Sequence, residues 1–122
     1  GTESGRVPYT VFMTKQSTIE NDPEMIEKFT RAIHKAQRWV YEQPAEEAAK
    51  TLQSFFDDVE LDIIITVLQR YKDQESFAQD PIIDENEWNH LQDIMDDAGE
   101  LPERISYEDF VNTEFAQKVM DE

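Results

Sequence analysis

The chain has 122 residues, with 11 Lys or Arg against 28 Asp or Glu and a formal net charge of −17. That length holds one small domain with a modest core. The charge repels a duplex phosphate backbone or an anionic membrane, which argues against nucleic-acid binding.

Hydrophobic residues make up 39% and aromatic residues 11% of the chain, enough apolar surface to argue against disorder despite 32% charged residues. No cysteine occurs, which excludes disulfides, thiolate metal ligands and a cysteine nucleophile. No apolar run approaches the roughly 20 residues of a bilayer span, and no signal peptide is visible. Three glycines and five prolines leave no long flexible linker. The first residue is Gly1 rather than methionine, which we read as a processed or excised piece.

In chain order, GTESGR reads as a loop. From Val7 to Thr14 (VPYTVFMT) the β-branched and aromatic residues predict a strand, with Pro8 suited to its start or to a sheet edge. The rest of the chain offers no second convincing strand. A lone strand leaves a row of unpaired backbone donors and acceptors, so its partners are expected in a missing part of the polypeptide or in a second copy. Lys15 to Asn21 reads as a polar connector. Asp22 is then a cap and Pro23 a first helical residue for a long helix reaching Gln43. Its apolar stripe is Ile26, Phe29, Ile33, Ala36 and Val40.

A second helix is expected over residues 44–54, with Ala48, Ala49 and Leu52 inward and Phe55 or Phe56 closing the face. A third runs from Glu60 to about Lys72, capped by Asp57 or Asp58, with the stripe Leu61, Ile64, Ile65, Leu68 and Tyr71. The run Ile63-Ile64-Ile65 also fits a short buried strand, and the continuing stripe favours helix. Residues 73–80 read as loop, with Ile82 and Ile83 anchoring it onto the core. A fourth helix begins at Asp84 or Glu85, turns Trp88, Leu91, Ile94, Met95 and Ala98 inward, and ends at Gly99. Ser106 with Asp109 resembles a capping box. Asn112 caps a last short helix carrying Phe115, Ala116, Val119 and Met120.

Little of this carries chemistry. His34 is expected at the boundary of the long helix. Glu87 and His90 share a helix face, a spacing found in carboxylate-bridged metal sites, but the second Glu-x-x-His pair such sites need is missing. Asp57-Asp58 and Asp96-Asp97 lack calcium-loop spacing. There is no glycine-rich phosphate loop and no nucleophile elbow. We therefore expect no catalytic residue, no metal site and no cofactor. From Asp84 to Asp109 ten acids face one Arg104, and this run reads as solvated surface. Arg6 and Tyr9, flanking Pro8, are the candidate substrate-binding pair. Arginine can pair with an anion and tyrosine can stack or donate; the competing reading is a solvated Arg6 and a core Tyr9.

The ordered segments of VPYTVFMTKQSTIENDPEMIEKFTRAIHKAQRWVYEQPAEEAAKTL resemble the C-terminal part of ABC-transporter solute-binding proteins of the NMT1/THI5-like group. The features shared are the Asn-x-Pro-Glu helix start, Phe29, Ala32 and Ala36 in the long helix, and Pro44, Glu46 and Ala48 after it. Gly99 and Leu101, the Tyr-x-Asp-Phe-Val segment and Phe115-Ala116 extend the likeness to nearly the whole chain, which would be about the last third of a typical member.

The resemblance implies a mostly α chain with one N-terminal strand, a fragment of a two-lobed α/β periplasmic-binding-protein type II fold. Residues 1–14 would be the hinge loop and sheet strand, and residues 15–122 the helical C-terminal part of lobe 1. It implies a substrate-binding component of an ABC importer for sulfonates, nitrate or taurine, or thiamine pyrimidines. The parent would work outside the cytoplasm, periplasmic or lipid-anchored, with a small-molecule ligand and an ABC permease as partners. An enzymatic branch making the thiamine pyrimidine carries a Cys-rich motif, so that activity is not expected here. A homodimer through residues 7–14 is a further expectation. The alternative is a free-standing acidic helical interaction module.

Overall fold

The computed structural model describes residues 2–122. Its regular elements are helical: α1 (Gln16–Asn21), α2 (Pro23–Glu42), α3 (Ala45–Leu52), α4 (Leu61–Asp73), α5 (Glu85–Asp97), α6 (Tyr107–Phe110) and α7 (Glu114–Met120), with 3-10 turns at Thr2–Ser4 and Gln53–Phe55. The described residues divide into two units, Arg31–Pro81 and residues 2–30 with Ile82–Glu122.

The unit Arg31–Pro81 is built around an alanine face. Ala45, Ala48 and Ala49 recur at three- and four-residue spacing on α3 and so share one side of the helix. With nothing beyond Cβ, they let α4 pack closely, and Ala48 and Ala49 are only 1% and 0% exposed. Ile64 and Leu68, one turn apart on α4, complete the buried cluster, and Trp39, Leu52, Val59, Leu61, Ile65 and Phe77 pack around it. Burying each large aliphatic side chain is worth about 1.5–3 kcal/mol.

The return loop is fastened by polar contacts. The Tyr41 hydroxyl donates to the Phe77 carbonyl at 2.6 Å and the Gln37 amide to the Asp80 carbonyl at 3.0 Å; separately, the Lys72 ammonium of α4 donates to the Gln43 carbonyl after α2. Tyr71 and Phe77 meet edge to face. Helix is the state of Ile63-Ile64-Ile65, as the longer stripe required. The N-cap position of α4 is Glu60, without a side-chain cap bond, and not Asp57 or Asp58, and Phe55 and Phe56 are exposed rather than closing the α3 face.

In the other unit, Asp22 joins two helices. Its N–H closes α1 on the Thr18 carbonyl at 2.9 Å, and its carboxylate accepts the Met25 N–H at 3.2 Å, the expected cap of α2. The helix α1 falls where a polar connector was expected; with only Ile19 apolar, it has no stripe to reveal it. The end of α5 is a Schellman motif: Gly99 has φ +72°, its N–H reaches the Asp96 carbonyl, and the Glu100 N–H reaches that of Met95, both at 2.9 Å.

The inward face of α5 differs from the expected one. Trp88 and Leu91 are half-buried, Ile94, Met95 and Ala98 are exposed, and Gln92 is buried. The cause is the backbone crossing it. The Ile105 N–H donates to Gln92 Oε1 at 2.7 Å, and its carbonyl accepts from Trp88 Nε1 at 3.1 Å. Two side chains one turn apart thus satisfy both polar groups of one peptide residue. Phe110 stacks on Trp88 with centroids 5.2 Å apart, and the Tyr107 hydroxyl donates to the Ile83 carbonyl at 2.6 Å. Ala116 and Val119 of α7 are buried.

The expected N-terminal strand is not present. Among the described residues there is no strand at all, and residues 7–15 run without regular structure apart from a bend at Thr10. A strand needs a ladder partner, and the described residues supply none for this segment. Its side chains are correspondingly bare: Tyr9 is 92%, Phe12 73% and Met13 78% exposed. Phe12 meets Phe29 edge-on with ring centroids 4.9 Å apart. The mostly α part of the expected fold class stands; the strand does not.

Candidate functional site

The two sequence-derived candidates lie on this uncovered segment and its approach, and the structure treats them differently. Arg6 Nε pairs with Glu87 Oε1 at 2.9 Å, its side chain remaining largely exposed. An engaged guanidinium is a weaker anion receptor than a free one, because a ligand must compete with the carboxylate already there. Tyr9 is the opposite case, a fully presented aromatic ring. It is not a core residue.

The segment differs electrostatically from the rest of the chain. From Ser4 to Ile19 there is no Asp or Glu, while Arg6 and Lys15 carry positive charge. An acid-free, aromatic-bearing stretch on a strongly acidic chain can accept an aromatic or apolar surface without placing carboxylates against it.

Glu87 and His90 are brought together as their spacing on α5 required, but onto the chain itself. Glu87 takes Arg6, and His90 Nε2 lies 2.5 Å from the Ser4 carbonyl oxygen. A carbonyl only accepts, so Nε2 carries the proton. Among the described residues no group of three or more His, Asp or Glu is arranged to hold a metal ion. His34 is half-buried on α2, with Nδ1 shielded from solvent and, like Gln37 Oε1, unpaired among the described residues.

An open cleft lies between α1, the start of α2 and α7, lined by Ile19, Pro23, Glu24, Glu27, Phe115 and Lys118 among others. Of its carboxylates, Glu24 and Glu27 are paired with lysines, and Glu114 also lines it. Lys118 meets Glu27 at 3.2 Å, and Lys28 meets Glu24 at 2.9 Å. The hydrogen bond and charge of Lys28 hold the Glu24 carboxyl below its ordinary range. Elsewhere Arg104 binds Asp93 at 2.6 Å and Asp96 at 3.4 Å, and these carboxylates, Asp93 first, push its pKa further up. Burial, then the charges of Asp84, Glu85 and Glu108, pushes the Tyr107 phenol up.

Residues 3–47, which include the Arg6–Tyr9 stretch, α1 and all of α2, match the family model described as NMT1/THI5 like. The family found is the one the ordered segments resemble. Over all 122 residues the chain is 48% identical to the protein named "Putative binding protein YtlA" of Bacillus subtilis (strain 168). It spans about a third of that relative, 36% of its length. No solved structure matches. Sequence reasoning passed over Gln92, whose burial follows from the backbone crossing it and leaves no periodic signal.

Proposed function

We propose that this chain is part of a solute-binding protein serving an ABC importer, acting outside the cytoplasm and delivering a small molecule to a permease. The observation that carries the reading is the 48% identity along the entire chain to a protein named a binding protein, together with the family match across residues 3–47. In this reading residues 1–14 are the approach from the hinge, and residues 15–122 are the helical part of one lobe. The ligand classes are a sulfonate or taurine, nitrate, or a thiamine pyrimidine. Arg6 held by Glu87 and the bare Tyr9 ring favour the stacking ligand, the pyrimidine, over the oxyanions.

The test is a thermal-shift panel of sulfonates, nitrate and thiamine pyrimidines on a polypeptide of the relative's length that carries this chain. A pyrimidine should raise its melting temperature, Tyr9→Ala should weaken that shift, and residues 1–122 alone should not respond. A panel silent on the long polypeptide overturns the reading.

A second reading, an acidic interaction module that self-associates through residues 7–14, is favoured by the exposure of Phe12 and Met13. Sedimentation at micromolar concentration separates the two: the module forms dimers that Phe12→Ser disrupts, and a clean monomer removes it.

A further inference from the structure

Three observations converge on residues 4–6, and none of them involves the proposed ligand. His90 Nε2–H donates to the Ser4 carbonyl. Glu87, one turn earlier on the same face of α5, holds Arg6 through Nε at 2.9 Å. Between the two gripped residues stands Gly5 at φ +80°, in the left-handed region, where an added Cβ would lie 3.3 Å from His90 Nε2. A side chain at Gly5 would thus be strained in backbone and crowded by the imidazole.

We propose that Glu87 and His90 form a two-point latch that clamps the backbone of residues 4–6 to α5 and fixes where the apolar segment 7–15 leaves it. Both points are needed to fix a direction. The hydrogen bond holds Ser4, the ion pair holds Arg6, and Gly5 lets the backbone pass between them in the left-handed region. Residues 7–14 make no backbone-to-backbone hydrogen bond among the described residues, so on its N-terminal side the latch is the fixed point from which that segment emerges. Glu87 and His90 are positioning residues here, acting through the backbone they hold.

Trypsin offers a direct readout. Cleavage after Arg6 requires its side chain to leave Glu87 and enter the protease, and the backbone around Gly5 to come away from His90. Lys15, exposed and without an ion pair among the described residues, is an internal reference on the same segment. The ratio of initial cleavage rates, Arg6 over Lys15, is measured for the unmodified chain, Glu87→Ala, His90→Ala and the double variant. Losing one surface ion pair and one hydrogen bond should raise the ratio about tenfold in the double variant, with each single change in between. Gly5→Ala should raise it as well. An unchanged ratio in the double variant overturns the latch. Circular dichroism and the Lys15 rate, both expected to stay constant, separate release of the latch from loss of the fold; if the ratio rises only together with the Lys15 rate, the latch is also overturned. The outcome is independent of ligand binding, so it stands or falls apart from the importer reading.

Discussion

The units Arg31–Pro81 and 2–30 with Ile82–Glu122 are held by different means. The first has a conventional apolar centre: three alanines of α3 against Ile64 and Leu68, ringed by half-buried aromatic and aliphatic residues. Among the described residues, the second buries Ala116, Val119 and the polar Gln92. Its loops are tied instead by side chains reaching backbone: Gln92 and Trp88 to Ile105, Tyr107 to Ile83, His90 to Ser4. Hydrogen bonds of this kind contribute about 1 kcal/mol each, less than a buried Leu. A unit fastened mainly by them, with Tyr9, Phe12 and Met13 bare, has apolar surface left to cover. That is the physical link between this fold and the proposal that the chain works as part of a longer binding protein.

The comparison can be broken or sharpened by substitution. The largest effect is expected at Leu68, where Leu68→Ala opens a cavity in the alanine-lined core and should cost about 2–5 kcal/mol in urea unfolding. Next is Gln92→Ala, which strands the Ile105 N–H and should cost about 1–3 kcal/mol. Measured by Trp88 fluorescence, a loss below a few tenths would show that the polar fastening is dispensable.

The two Schellman ends give a matched pair with opposite signs. Glu75, at φ +53°, occupies at the end of α4 the position Gly99 occupies at the end of α5. The Ser76 N–H reaches the Tyr71 carbonyl and the Glu75 N–H that of Lys72, at 2.8 and 3.0 Å. Glu75→Gly should therefore stabilise by about 1 kcal/mol and Gly99→Ala destabilise by a similar amount. Nothing lies within 4 Å of a Cβ at Gly99, so that cost is conformational alone.

The smallest effect is that of Tyr107. Tyr107→Phe should cost about 1 kcal/mol through the lost bond to Ile83. Its phenol pKa is raised in the folded state, so the folded form favours the protonated phenol. That stability is fully present below the unfolded value near 10 and is lost as pH rises through the folded pKa. The unmodified chain should weaken at alkaline pH more than Tyr107→Phe does.

The helices were legible in the sequence where caps and stripes coincide. Asp22 with Pro23, the α4 stripe from Leu61 through Leu68, and Gly99 each state their role in residue type and spacing. Asn112 accepts the Glu114 N–H at 2.9 Å, but the N-cap of α7 is Thr113, one residue later than expected. Ser106 was half legible: its hydroxyl bonds the Asp109 carboxylate at 2.7 Å rather than a backbone N–H. The strand was misread because β propensity describes a surface that would fit a sheet, not the presence of one. Residues 7–14 have the composition without the neighbour. The resemblance does not depend on that strand: the family model matches residues 3–47, and the 48% identity to the "Putative binding protein YtlA" runs over all 122 residues of this chain and 36% of that relative. At the candidate site, Arg6 and Tyr9 were found from their neighbourhood in the sequence. The partner that occupies Arg6, Glu87, lies 81 positions away and could only be seen once α5 was in place.

The contrast between the units has its own probes, because the chain's two tryptophans fall one in each: Trp39 in the first and Trp88 in the second. Urea unfolding of the single-tryptophan variants Trp88→Phe and Trp39→Phe, followed by fluorescence, reads each unit separately. The account predicts that the Trp88 signal is lost at lower urea than the Trp39 signal. Coincident transitions, or Trp39 unfolding first, would contradict it.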